Sequence, residues 1–363
     1  MTDKLYVGTR KGLFVLARKA AGWDIVETRF LGEPVSAVLA VDDMVLVALD
    51  LGHFGPKVWR RAGNDDWTEM QAPAFPAKPD DAEDDPHPWS VGRIWNLTPG
   101  GVDGRIWAGT MPGGLFRSDD NGATWALNEP LWMMPDRLKW MGVAGGEQPG
   151  LSTVLVDPED PAKLTLGVSC AGIWQTTDTG KTWRNIGDGF YNEYMPPDQQ
   201  RDPIGQDIHQ IAHCRAHPEV IWCQHHSRIY RSTDYGATWH PIETARPSGF
   251  GFAVAAHPED PETAWFVPAI KDEQRFPVDA RLVVSRTRDG GKTFEVLNKG
   301  LPDRHAYDLV YRHALGIDAS GTQLAFGSTS GGLWISEDGG ETWTAPDCRL
   351  PPVACVRFQL GQG

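Results

Sequence analysis

The chain has 363 residues, with 40 glycines, 28 prolines, 16 tryptophans and a formal net charge of -14 at pH 7. Glycine and proline at this level suit many short strands joined by tight turns. The acidic balance argues against a nucleic-acid partner, since phosphate-backbone affinity comes from clustered Lys and Arg. No apolar run reaches the length of a membrane span, so no membrane partner is expected either.

Taken in chain order, Met1 to Gly8 enters a strand pattern directly, with no charged leader, apolar core and cleavage site, and a cytoplasmic location is expected. Residues 5–9, 12–18 and 23–27 read as the second, third and fourth strands of a four-stranded unit that lacks its first. Residues 35–70 form a complete unit with a worn turn at 61–67. Residues 89–128, 151–185, 208–242, 250–297 and 307–345 then repeat one order: apolar strand A, strand B ending in small residues, strand C, turn, strand D. The stretch Val353 to Leu360 supplies the strand missing at the start. Joining the two ends closes a ring and removes two exposed sheet edges. The expectation is an all-β, seven-bladed β-propeller forming a single domain over 1–363.

The C–D turn repeats most faithfully. It is Ser118-Asp119-Asp120-Asn121-Gly122-Ala123-Thr124-Trp125 in its first copy, and it returns at 176–183, 232–239, 287–294 and 336–343. The aspartate accepts hydrogen bonds from its own turn, and the glycine takes positive φ without a Cβ clash. A second repeated string, at 157–160, 217–219 and 257–260, is expected in the A–B turns. The acidic run Asp80-Asp81-Ala82-Glu83-Asp84-Asp85 reads as a solvated loop. The five cysteines are odd in number and lack C-x-x-C spacing, which favours neither a disulfide framework nor a zinc knuckle.

The repeated S/T-x-D-x-G-x-T-W/F pattern resembles the Asp-box, or BNR repeat, of sialidases, two-propeller xyloglucanases, sortilin-type receptors and a photosystem assembly factor. The strings at 52–57, 224–232, 250–258 and 306–312 are similar to a bacterial family labelled sialidase-like or glycosyl hydrolase. That resemblance implies a seven-bladed propeller and carries no established reaction. The boxes lie at a blade rim, so their aspartates are expected to be structural. The Arg-Ile-Pro motif of sialidases is absent.

Candidate chemistry lies on the face opposite the boxes. There the D–A connections at 71–88, 129–150 and 187–207 are long, as functional loops are, and Trp89, Trp132 and Trp140 are candidates for stacking on a ligand. The B–C connections hold Arg10, His53, Gln224-His225-His226, and Lys271-Asp272 with Arg275. Strand starts add Asp207, His209, Tyr307, Asp308 and Arg312, with Glu147 before blade 4. His53, His209 and His226 are the candidate bases, beside Arg312 as a binder of negative charge. Arg10, Glu147, His225, Lys271, Arg275 and Tyr307 are candidates for substrate binding. His53, His209, Gln224 and His226 are the candidate ligands of one divalent metal ion. By analogy with propeller lyases that use axial histidines and a metal, the reading is a lyase or hydrolase acting on a small anionic or hydroxylated, glycan-like ligand. The alternatives are a non-catalytic interaction propeller with a protein partner, and a true glycoside hydrolase.

Overall fold

The computed structural model describes residues 2–20, 22–82, 84–142 and 148–361. Its strands form seven sheets, the blades of a seven-bladed β-propeller. In blade 1 the strand Val353–Phe358 pairs antiparallel with Lys4–Thr9, which is followed by Gly12–Lys19 and Gly22–Arg29. The register sets Leu5 against Phe358 and Gly8 against Cys355, so the two ends of the chain share one sheet and close the ring. By internal contacts the chain forms two compact units, residues 1–43 with 209–363 and residues 44–208. One border falls inside the strand Ile208–Cys214, so Asp207, Ile208 and His209 are consecutive residues of one extended stretch.

Burial decreases from the inner strands outward. Val35–Val41 and Met44–Asp50 are almost wholly buried, as continuous apolar runs of this length demand, whereas the outer strand Thr68–Met70 is exposed or half-buried. Small residues near the end of strand B make room for the next layer. A Cβ on Gly8 would lie 2.6 Å from Cys355 Sγ and 2.7 Å from Val35 Cγ1, and one on Gly327 would lie 2.4 Å from Val353 Cγ1. An alanine at either position would have to displace a buried neighbour.

Each box is a closed hydrogen-bond network. The Ser118 hydroxyl donates to Asp120 Oδ1 (2.7 Å) and accepts from the Gly122 N–H (2.8 Å). Asp120 accepts in turn from the Thr124 N–H (2.9 Å) and hydroxyl (2.6 Å). Thr176, Asp178, Gly180 and Thr182 repeat the pattern, and so do Ser336, Asp338, Gly340 and Thr342. Gly122 has φ 80°, where a side chain would be strained. In the A–B turns Asp157 accepts from the N–H groups of Glu159 (2.9 Å) and Asp160 (3.1 Å). His257 does the same through Nδ1 for Glu259 (3.1 Å) and Asp260 (3.0 Å), which explains why histidine can stand for aspartate there.

Three local expectations change. His217-Pro218-Glu219 opens the second strand of blade 5, His217–His225, and the turn is the shorter Arg215-Ala216. Blade 7 starts at Leu315–Ile317, after a 3-10 turn at Arg312–Ala314, and not at Tyr307. The apolar residues that suggested an earlier strand are used otherwise: Leu309 packs with Phe250, Phe252 and Ala269. The sheet of blade 7 has three strands, and its fourth is reduced to one bridge between Ile335 and Thr344. Pro346 follows closely and has no N–H to extend that ladder.

The box threonine hydroxyl and amide hold the Asp120 and Asp289 carboxyls down at about 2. Because the folded values lie below those of the unfolded chain, this stabilisation is complete above pH ~4 and is lost as pH falls toward ~2. Denaturant unfolding measured across that window should show a steep loss in the wild type and a shallower one in an Asp120→Asn, Asp289→Asn double variant.

Candidate functional site

The site grows from the end of a strand in blade 5. Within His217–His225 the side chains alternate between faces, and His225 is fully buried, accepting from the Ser227 N–H (3.1 Å) and lying edge-on to Tyr230. His226, one residue past the strand, points the other way and meets His209 on the adjacent strand. The His209 Nε2 to His226 Nδ1 distance is 3.2 Å.

His209 is 1% exposed and is held by blade 6. Its ring stacks on Phe252 (centroids 4.3 Å apart, 13° between planes), with Phe250 edge-on. Its Nδ1 lies 2.6 Å from the Gly251 carbonyl oxygen. A carbonyl only accepts, so Nδ1 carries the proton and Nε2 presents a lone pair to His226. Gly251 is needed for that approach, because a Cβ there would lie 2.9 Å from the Val267 carbonyl.

Charged groups surround the pair. Asp272 Oδ2 stands 3.9 Å from His226 Nε2, and its Oδ1 accepts from Arg275 Nε (2.9 Å). Arg275 and Arg312 lie over Phe252, 5.5 and 5.6 Å from its centroid, and Tyr311 meets the same ring edge-on at 5.2 Å. Tyr307 and Tyr311 are 62% and 37% exposed, and the Tyr307 ring lies 5.8 Å from that of Phe276. Asp207 accepts from the Ser169 hydroxyl (2.9 Å) and the Cys170 N–H (3.1 Å). Asp207, His209 and His226 offer donor atoms that all lie within 4.8 Å of one another, and among the described residues this is the group with metal-ligand spacing.

The remaining expected residues stand elsewhere in the geometry. His53 is exposed on the 3-10 turn Gly52–Phe54, with its ring 3.9 Å from that of Phe54, and is outside that donor group. The Gln224 side-chain amide donates to the carbonyls of His225 (3.0 Å) and Gly249 (2.9 Å), and so braces a turn. Lys271 is exposed, 3.5 Å from Glu273, and Arg10 is exposed with its N–H on the Pro352 carbonyl. Glu147 lies outside the described residues. Trp132 and Trp140 are 1% and 3% exposed, their rings packed against Phe75 and Trp174. Asp207 and Asp272 were named among the polar residues of this face without a role, and nothing in the repeat pattern marks Phe252 as the platform of His209.

Part of the acidic loop is a correction. Asp85 is not solvated: its side chain and that of Arg137 are 3% and 4% exposed and form a two-armed ion pair joining the 71–88 and 129–150 connections. The His87 N–H (3.0 Å) and the Trp89 indole N–H (2.8 Å) also donate to Asp85, and the Arg137 guanidinium lies 4.0 Å from the Trp132 ring centroid. Burial pushes the Asp85 carboxyl up, but the Arg137, His87 and Trp89 hydrogen bonds outweigh it and hold it at about 2.

The BNR/Asp-box repeat family matches residues 334–345. The chain is a seven-bladed propeller carrying BNR/Asp-box repeats. It is 31% identical over 153 residues to xyloglucanase Xgh74A of Acetivibrio thermocellus, covering 38% of this chain and 17% of that protein. A xyloglucanase of Paenibacillus sp is 29% identical over 154 residues, 38% of this chain and 14% of that protein. The match therefore spans less than a fifth of these relatives. Among solved structures, an ancestral GH74 enzyme aligns with a TM-score of 0.56 at 14% identity, over 90% of this chain and 38% of its own. YCF48 from Cyanidioschyzon merolae aligns with a TM-score of 0.56 at 14% identity, over 93% and 90%. YCF48 bound to D1 peptide aligns with a TM-score of 0.51 at 13% identity, over 86% and 83%. At these identities the structures share the propeller fold.

Removing one charge from the buried Asp85–Arg137 pair leaves the other without its partner. An Asp85→Asn variant should lose about 3 kcal/mol in denaturant unfolding. Asp85→Asn with Arg137→Met should recover part of that loss.

Proposed function

We propose that this protein is a cytoplasmic hydrolase or lyase that binds a small hydroxylated or anionic, glycan-like ligand beside His209 and His226, with a divalent metal ion as its cofactor. The observation that carries the reading is the imidazole pair at 3.2 Å, set between Asp272 and a phenylalanine flanked by two guanidiniums. Imidazole changes protonation near neutral pH and suits proton transfer in either reaction class. Arg312 and Arg275 suit a carboxylate or a charge that develops on oxygen, since a guanidinium presents a planar fork of donors. Tyr307 and Tyr311 offer exposed ring surface for a sugar face. The similarity of one segment to xyloglucanases supports a glycan-like ligand and, within the same reading, glycoside hydrolysis.

A second reading, a propeller that docks a protein partner, is favoured by Met133, Leu138 and Met141, which are 55%, 51% and 41% exposed. The two are separated by assaying purified protein against xyloglucan oligosaccharides and uronate-containing oligosaccharides. The enzyme reading expects turnover of at least one of them, and a fall in kcat/KM of at least about 100-fold in His226→Ala with an unchanged melting temperature. No turnover and no binding across the panel would overturn it in favour of the docking propeller.

A further inference from the structure

We propose that Arg357 anchors a separate anion-binding site, which takes a carboxylate or phosphate oxyanion on the Nε and Nη2 edge of its guanidinium. The site goes beyond the proposed function and uses none of its residues, so it holds whether or not the histidine pair turns over a sugar. Arg357 lies on Val353–Phe358, the strand that closes blade 1. That strand packs against Val35–Val41 of blade 2 and the Arg312–Ala314 turn of blade 7.

The guanidinium is held from one end. Nη1 donates to the His313 carbonyl (2.9 Å) and to the Val356 carbonyl (2.8 Å), which restrains the plane of the group. Nε and Nη2 have no hydrogen-bond partner among the described residues, and neither is sealed from solvent. On a guanidinium these two nitrogens point N–H bonds in parallel, a fork that matches two oxygens of a carboxylate or phosphate.

The charge is also uncompensated. Arg137, Arg231 and Arg286 each meet a carboxylate, from Asp85, from Glu262, and from Glu295 with Glu341. Arg357 has no carboxylate within ion-pair distance among the described residues. Burial pushes its guanidinium down from the usual arginine range, and the ionisable group that acts on it is the thiol of Cys355. Cys355 is fully buried, which pushes that thiol up, so it stays protonated and supplies no negative charge. A cation withdrawn from water is destabilising until a negative group joins it. An oxyanion from solution satisfies the fork and the charge together, whereas chloride, with no pair of acceptor atoms, satisfies only the charge.

The test is a melting-temperature titration of the wild type with sodium acetate and with sodium phosphate, each against sodium chloride at equal ionic strength. At least one of the two oxyanions should raise the melting temperature along a saturating curve that chloride does not give. Which one does so tells a carboxylate site from a phosphate site. Arg357→Met should lose the saturating part. Arg357→Lys, which keeps the charge without the fork, should bind at least about 10-fold more weakly. Arg275→Met should keep the wild-type midpoint within about twofold. Should the Arg357 variants fail to fold, the wild type carries a second readout: one arginine Nε–H resonance should shift with the midpoint of the melting curve. Absence of a saturating curve and of a shifting resonance with both oxyanions overturns the proposal. A curve kept unchanged in Arg357→Met overturns it as well, and one lost in Arg275→Met but kept in Arg357→Met moves the anion to the histidine site.

Discussion

Backbone pairing between Lys4–Thr9 and Val353–Phe358 is the constraint on which the rest of the molecule depends. An open stack of blades would end in two unpaired strand edges, each a template for association. Pairing the chain ends removes both. The junction is reinforced by the Arg10 N–H on the Pro352 carbonyl, by the Tyr6 hydroxyl on Gln359 (2.7 Å) and by the Thr2 N–H on Gln323 (2.9 Å). The small residues at Gly8 and Gly327 belong to the same constraint, because the closing strand fits only where a Cβ is missing.

The acidic residues of this chain do different work from one another. Those of the boxes are exposed or nearly so, and each satisfies the amides and hydroxyls of its own turn. They therefore fix local geometry and can recur without reference to their surroundings. Asp85 joins two long connections through Arg137, and its charge matters because water cannot replace the partner. Asp272 stands beside His226, one of a pair of histidines. Net charge alone distinguishes none of these roles.

The long connections serve mainly as scaffold. Trp89, Trp132 and Phe75 pack on each other around the Asp85–Arg137 pair, which spends aromatic surface on holding loops that have little regular structure. The histidine site, by contrast, stands on strand ends of blades 5 and 6, where backbone ladders limit movement. A site that must hold nitrogens to within a few tenths of an ångström is better placed on such elements than on loops.

The repeat is written in the chain: five boxes at nearly even spacing, the count of blades, and the terminal strand that completes the first. These follow from local rules, since a box is satisfied within eight residues and a strand pattern within about the same length. The sequence also singled out His226, as a polar residue where a B–C connection otherwise uses a small one, and His209 at a strand start, together with His53. Their partners are set by the packing of distant segments. Asp272 reaches the pair because a blade 6 connection folds back, and Phe252 because blade 6 packs on blade 5. That packing also decided that Asp85 is buried and that blade 7 has three strands. The physical reason is range: hydrogen bonds within a turn are written in adjacent residues, whereas burial and the facing of side chains depend on which distant segments arrive beside them.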